Sequence, residues 1–188
     1  MKNESSPFFY SVANFAILKR IKSALGLARC KAFFYGAAPL KKTTVEYFAS
    51  LDIPLLNVYG LSETSGPMSA STLGKFNFTS AGCSLYGSEL SIQNPDENGI
   101  GEICGRARYV MMGYLKNEEA TKEVIDPQGY FHSGDLGKVD DQGFLYITGR
   151  IKELIITAGG ENIAPVIIED NFKLFCPMVS NIMVVGEN

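Results

Sequence analysis

Apolar residues recur at helical spacing over residues 11–28. Val12, Phe15, Ala16, Ile21, Leu25 and Ala28 gather broadly on one side, and Lys19, Arg20 and Lys22 spread over the rest. The pattern predicts an amphipathic helix that packs on a core and turns a basic face to solvent; a membrane-surface helix is the other use of the same pattern. Lys31–Tyr35 is a short apolar and aromatic run ending at Gly36, which reads as a buried strand. Helix character over Leu40–Leu51 and a strand over Pro54–Tyr59 complete a β-α-β unit, and so predict parallel strands. From Ser88 the texture changes. Leu90, Ile92, Ile100, Ile103 and Tyr109–Met112 sit in short strand-like runs, with turns at Asn94–Gly99 and Asp140–Gly143 and a short helix over Asn117–Val124. This region predicts a mainly antiparallel subdomain. Beyond Arg150 the expectations are a strand at Leu154–Thr157, a glycine turn at Ala158-Gly159-Gly160, a helix over Pro165–Phe175 and a strand at Asn181–Val185. The predicted organisation is therefore residues 1–87 as an α/β piece, 88–149 as the antiparallel subdomain, and 150–188 as a separate segment.

Composition narrows the function classes. The formal net charge of −3 leaves no global basic footprint for nucleic acid. Four cysteines (Cys30, Cys83, Cys104 and Cys176) stand far apart without a C-x-x-C pair, which argues against a disulfide scaffold or zinc cluster and fits a reducing, cytoplasmic compartment. No apolar run reaches the roughly 18–20 residues needed to span a bilayer, and no signal-peptide pattern is visible. Gly99-Ile100-Gly101-Glu102-Ile103-Cys104-Gly105 falls short of a dinucleotide fingerprint, because the last glycine is misplaced and no helix pattern follows.

Three segments carry the chemistry: Tyr59-Gly60-Leu61-Ser62-Glu63-Thr64, then Tyr130-Phe131-His132-Ser133-Gly134-Asp135-Leu136-Gly137, then the run from Gly149 through Arg150, Lys152 and Gly159-Gly160-Glu161 to Ile163. In this order they resemble the adenylate-forming enzymes: acyl-CoA synthetases, their luciferase relatives and the adenylation domains of peptide synthetases. Those enzymes activate a carboxylic acid with ATP and pass the acyl group to a thiol. The resemblance covers residues from about 28 to 188 and looks most like the bubblegum type of long-chain acyl-CoA synthetase. It implies an α/β fold: part of a large domain, with a parallel-sheet piece and an antiparallel barrel-like subdomain, followed by the start of a small α+β C-terminal domain.

The resemblance also implies roles. Gly36, Ala37, Ala38 and Pro39 would line an adenine pocket, where small residues after a strand let backbone approach a planar ring. Tyr59, beside Gly60, would stack on the other face of the ring. Ser62 would hydrogen-bond phosphate and Glu63 would hold Mg²⁺, a cation for which one carboxylate plus phosphate oxygens and water suffices. Asp135 would accept both ribose hydroxyls, and Arg150 would lie near ribose and phosphate. Ser62, Glu63 and Arg150 make up the implied catalytic set. Lys152 matches the hinge about which the small domain swings. Gly159, Gly160 and Glu161 match the loop lining the channel for the pantetheine of coenzyme A. Two residue types have plainer readings: Asp140 and Asp141 are turn residues rather than a metal site, and the single histidine, His132, is a structural hydrogen bonder rather than a general base.

Together these imply ATP-dependent activation of a long-chain fatty acid to acyl-AMP and transfer to coenzyme A, with Mg²⁺ as the metal. The implied setting is the cytoplasm, with peripheral contact at the endoplasmic reticulum membrane as an option; no oligomeric state is implied. The family's phosphate loop should lie upstream of residue 1 and its late lysine beyond Asn188, with Lys173 too early to replace that lysine; Ala164 and Val166-Ile167-Ile168 are more apolar than expected. The chain is thus expected to carry much of a nucleotide pocket without the full catalytic set and to be inactive alone. The alternative is a non-catalytic nucleotide-binding or regulatory fragment.

Overall fold

The computed structural model describes residues 8–156, 162–176 and 178–186 of the chain. The first sheet is built on the expected β-α-β unit. Strand β1 (Phe33–Tyr35) lies parallel to β2 (Leu55–Leu61), and the helix Lys42–Ser50 crosses between them. The sheet is not purely parallel, however. Strands β3 (Gly66–Ala70) and β4 (Cys83–Ser84) follow, each antiparallel to the strand before it. The reversal is made by the single 3₁₀ turn Ser62–Thr64, after which Ser65 takes φ 52°. A turn this tight can only send the chain back along its own strand. Gly66 and Pro67 at the start of β3 remove the usual strand signature.

The N-terminal helix also departs from expectation. Its α-helical parts, Phe8–Ala13 and Lys19–Ala24, flank a π-helical segment, Asn14–Leu18, in which the amide of Lys19 reaches back to the carbonyl of Asn14. No residue from Asn14 to Ala24 is buried. Asn14, Leu18, Ile21 and Lys22 are half-buried, whereas Phe15 is 78% exposed and Val12 and Ile17 are exposed too. The face expected to pack is therefore largely the open one. Lys22 ties the helix to Asp52 through an ion pair.

The second sheet is the expected antiparallel unit, a meander of β5 (Ser88–Gln93), β6 (Gly101–Ala107), β7 (Phe131–Val139) and β8 (Leu145–Arg150). Three loops in this region have one design. In Asp96–Ile100, Asp126–Tyr130 and Asp140–Phe144 the aspartate Oδ1 accepts the amides two and four residues on, at 2.8–3.0 Å. The fourth residue is each time a glycine at positive φ: Gly99 at 74°, Gly129 at 83° and Gly143 at 81°. Asp140 is thus a turn residue, as the sequence suggests, with its carboxylate occupied by backbone amides. The short helix Glu118–Val124 begins where expected, capped by the Asn117 side chain, which accepts from the amide of Ala120 at 3.1 Å. Tyr109–Met112 forms no strand. It is a loop whose Met111 amide donates to the Glu63 carbonyl at 2.7 Å.

The two sheets meet around a core of Tyr59, Ala81, Ile103 and Leu145, flanked by Leu61, Leu90 and Ile92. The joint is covalently short and hydrogen-bonded: Ala81 donates to the Leu145 carbonyl at 2.7 Å and Leu145 donates to the Gly82 carbonyl at 2.8 Å. Beyond Arg150, β9 (Ile155–Ile156) pairs antiparallel with β10 (Asn162–Ile163), and the helix Pro165–Phe175 has the predicted bounds. The segment Asn181–Val185 carries no strand; the Val184 amide is instead taken by the Glu169 carboxylate at 2.8 Å.

Candidate functional site

Gly36–Pro39 and Tyr59–Glu63 leave the carboxyl ends of two adjacent parallel strands, the edge at which open α/β sheets gather ligands. In register, Tyr35 lies opposite Asn57, which puts Gly36 beside Val58. A Cβ on Gly36 would stand 2.8 Å from the Val58 carbonyl oxygen and 2.9 Å from its Cγ2, so no side chain is tolerated there. Ala37 then turns the chain away at φ 65°, a left-handed conformation that an L-residue holds only against strain. Gly36–Pro39 are all exposed, which leaves their backbone open to a flat ligand.

Tyr59, Asp135 and Arg150 come together from three strands. The Tyr59 hydroxyl donates to Asp135 Oδ2 at 2.8 Å, and Arg150 Nε donates to Asp135 Oδ1 at 2.8 Å. Asp135 and Arg150 are direct cross-strand partners on β7 and β8. Asp135 is 5% exposed and Tyr59 8%, whereas the Arg150 side chain is 59% exposed. The cluster is therefore open to solvent on the guanidinium side. Burial above all pushes the Tyr59 phenol well above its ordinary range, and the Asp135 carboxylate adds to the effect, so Tyr59 stays a hydrogen-bond donor. Each Asp135 oxygen has used one lone pair and keeps another.

A bulge aims Asp135. Across β6 and β7, Cys104 faces His132 and Glu102 faces Leu136, so Ile103 alone stands opposite Ser133, Gly134 and Asp135. Gly134 makes the kink at φ 71°. Ser133 Oγ donates to the Ile103 carbonyl at 2.6 Å and accepts the Asp135 amide at 3.0 Å. Glu102 Oε1 accepts the Gly134 amide at 2.9 Å, and its Oε2 lies 2.8 Å from His132 Nδ1. His132 Nε2 is 3.7 Å from the Asp126 carboxylate. Glu102, Cys104 and His132 bring ligand-type atoms within 4.8 Å of one another. Both Glu102 oxygens are already engaged, however, and the Cys104 thiol is pushed up to about 12, first by burial and then by Glu102 and Asp126. The trio is a hydrogen-bonded cluster with a protonated thiol, not a thiolate site.

Glu63 lies four residues beyond Tyr59, in the tight turn that follows β2. It is half-buried in the Ser62–Thr64 turn, where Ser62 is exposed. Its Oε1 accepts the Tyr114 hydroxyl at 2.9 Å. Buried Thr64 holds the turn, accepting the Leu61 amide at 3.0 Å and donating to the Gly66 carbonyl at 2.7 Å. The roles of Thr64, Tyr114, Glu102 and the partners of His132 come from turn and strand geometry; in the sequence only the motif positions of Thr64 and His132 point toward them. Gly60 is exposed at the register shift between Tyr59 and Gly60. Lys152 sits exposed in the 3₁₀ turn Ile151–Glu153, straight after Arg150. Gly159, Gly160 and Glu161 lie outside the described residues.

A cavity of about 410 Å³ lies elsewhere, between the second sheet and the helix Pro165–Phe175, bounded by Glu102, Leu136, Thr148, Ile151 and Ile167. Its ionisable lining, Asp96 and Glu102, is acidic, which suits no polyphosphate. The open cluster around Asp135 has the better chemistry.

The family model described as AMP-binding enzyme matches residues 6–115. The chain belongs to the AMP-binding enzyme family. Among curated members of this AMP-binding family, the chain is 52% identical over 181 residues to the long-chain-fatty-acid–CoA ligase ACSBG2 of Gallus gallus, covering 96% of this chain and 24% of that one. It is 46% identical over 185 residues to the long-chain-fatty-acid–CoA ligase ACSBG1 of Rattus norvegicus, covering 98% of this chain and 26% of that one. The chain thus spans about a quarter of the length of the curated relatives it matches. Among solved structures, ATP-bound MatB from Rhodopseudomonas palustris superposes with a TM-score of 0.68 at 32% identity, over 76% of this chain and 30% of that one. The O-succinylbenzoate coenzyme A synthetase MenE from Bacillus subtilis, in complex with ATP and a magnesium ion, gives 0.65 at 30% identity, over 76% and 31%. The mixed α/β fold is that of AMP-binding enzymes. Among the described residues no helix is long and apolar enough to cross a membrane.

Proposed function

We propose that this chain carries the nucleotide-handling part of a long-chain fatty acid–CoA ligase, which activates a long-chain fatty acid with ATP to acyl-AMP and passes the acyl group to coenzyme A. The observation that carries the reading is Asp135, a buried carboxylate held by Tyr59 and Arg150 with one lone pair left on each oxygen. Such a carboxylate suits the two hydroxyls of a ribose. Adenine would lie against the exposed backbone of Gly36–Pro39, with Tyr59 flanking it and Arg150 reaching toward ribose and phosphate. Ser62 is exposed for a phosphate oxygen.

Glu63 fits a divalent cation. It is a half-buried carboxylate oriented by a neutral hydroxyl, and among the described residues it has no cationic partner. Mg²⁺ bound there would neutralise phosphate charge as it develops. Lys152 would serve as the hinge between the adenylating and thioester-forming arrangements, and Gly159-Gly160-Glu161 would line the pantetheine path. The domain reading that accompanies this function takes 1–149 as the C-terminal part of a large domain and 150–188 as the hinge and start of a small one. The close relatives named as long-chain ligases support the substrate class.

The test is pyrophosphate exchange into ATP, run on a longer chain that contains these 188 residues. Exchange that requires a long-chain fatty acid and disappears in Asp135→Ala is the expected result. Exchange supported by short or dicarboxylic acids, and not by long-chain acids, would overturn the substrate assignment.

A further inference from the structure

The bulge that aims Asp135 breaks the β6–β7 ladder, and a broken ladder leaves amides without strand partners. The Gly134 amide is one of them. Its acceptor is Glu102 Oε1 at 2.9 Å, a carboxylate reaching over from the neighbouring strand. The other oxygen of that carboxylate is engaged by His132 Nδ1 at 2.8 Å, and the far nitrogen of the same ring faces Asp126 at 3.7 Å. Asp126 is itself immobilised, because its Oδ1 closes the Asp126–Tyr130 loop. The chain of contacts thus runs from a rigid loop, through an imidazole and a carboxylate, to the residue next to Asp135. Glu102 and His132 stand on the two inner strands of the sheet and show 19% and 29% side-chain exposure.

We propose that Glu102 and His132 are positioning residues that hold the Ser133–Asp135 bulge in the geometry in which Asp135 receives a ribose diol. The inference rests on the nucleotide reading of Asp135 given above. Neither residue touches the ligand. Glu102 fixes Gly134 in its left-handed conformation, and His132 fixes the Glu102 rotamer, so the two act in series on one target. A carboxylate here accepts from both partners at once. An amide at the same place could still accept from Gly134 and donate to His132, provided the ring carries its proton on Nε2 toward Asp126. Glu102→Gln should therefore be largely tolerated, whereas Glu102→Ala should not.

The experiment compares ATP with 2′,3′-dideoxy-ATP by titration calorimetry on the 188-residue chain. The ratio of the two affinities reports only what the ribose hydroxyls contribute. In the parent chain ATP should be favoured at least about tenfold, the worth of a charge-assisted hydrogen bond. Glu102→Ala should collapse most of that preference while leaving dideoxy-ATP binding within about twofold. His132→Ala should lower the preference partway, the double variant should be no worse than Glu102→Ala, and Glu102→Gln should restore it. A general loss of folding would weaken both nucleotides alike, so the ratio separates positioning from stability. Should Glu102→Ala fail to fold by circular dichroism, His132→Ala, which leaves the Gly134 contact in place, carries the test. If the parent chain shows no preference for ATP, the ribose role of Asp135 fails. If it shows the preference and neither Glu102→Ala nor His132→Ala reduces it, the positioning inference fails by itself.

Discussion

Tyr59 and Asp135 stand 76 positions apart in the chain and share a buried 2.8 Å hydrogen bond that spans the two sheets. Removing the Asp135 carboxylate leaves the buried Tyr59 hydroxyl without its partner, whereas removing that hydroxyl leaves Asp135 still held by Arg150. Asp135→Ala should weaken ATP binding roughly 10- to 100-fold and destabilise the fold by about 1–3 kcal/mol, because the Tyr59 hydroxyl is orphaned. Tyr59→Phe should cost about 1 kcal/mol of stability with a smaller loss of affinity. Calorimetric titration and urea unfolding check the two effects separately.

Glu63→Gln should raise the Mg²⁺ concentration needed for half-maximal pyrophosphate exchange about tenfold, since a hard cation favours a carboxylate over an amide. The amide oxygen can still accept from Tyr114, so the turn should keep its shape. Thermal unfolding unchanged by the substitution, with a shifted Mg²⁺ dependence, is the expected pair of results.

Acid should undo the sheet turns. Backbone amides hold the Asp96 and Asp140 carboxyls below the ordinary carboxylate range, those of Ile100 and Phe144 foremost. A folded-state value below that of the free side chain, about 3.9, means the stabilisation is complete above that value. It is then lost as pH falls through the lower folded-state value. The midpoint of thermal unfolding should drop as pH is lowered below about 4. The double variant Asp96→Asn/Asp140→Asn should show a shallower drop, because asparagine accepts the same amides without titrating.

Ala37 should be improvable. Its φ of 65° costs about 1–2 kcal/mol for an alanine and almost nothing for a glycine. The gain is partly offset by the greater freedom of glycine in the unfolded chain, about 0.5–1 kcal/mol. Ala37→Gly should therefore raise the unfolding free energy measured with urea by a net amount of about 0.5–1 kcal/mol. A strained residue beside the proposed adenine site also suggests that nucleotide affinity be measured in the same variant.

Local signals were legible where they were strong. The helix Pro165–Phe175 was readable to the residue because proline marks its first turn, and the turns at Asn94–Gly99 and Asp140–Gly143 because aspartate and glycine specify them. The parallel β1–β2 pair followed from alternation of strand and helix. The N-terminal helix departs from the predicted stripe for a definite reason. Its π-helical segment inserts an extra residue per turn, so an apolar stripe drawn at one period through Val12 and Ile21 slips out of phase between them. Strands β3 and β4 leave little signal in the sequence, because Gly66 and Pro67 hide the first and the second is only Cys83–Ser84. At the site, the motif residues Tyr59, Asp135 and Arg150 stood out by resemblance. Glu102 and Tyr114 did not, because their roles arise from strand register and loop packing, which a single segment does not display.

The repeated aspartate–glycine loops bear on the order of assembly. Each closes its own ring of hydrogen bonds from residues already adjacent, as where Val139 and Leu145 face each other across Asp140–Gly143. The parallel pairing of Phe33 with Leu55 must instead wait for an entire crossover helix to be placed. Loop closure of this short kind takes far less chain entropy and less time than the crossover. The β7–β8 hairpin, and with it the strand bearing Asp135, is therefore expected to close before β1 pairs with β2.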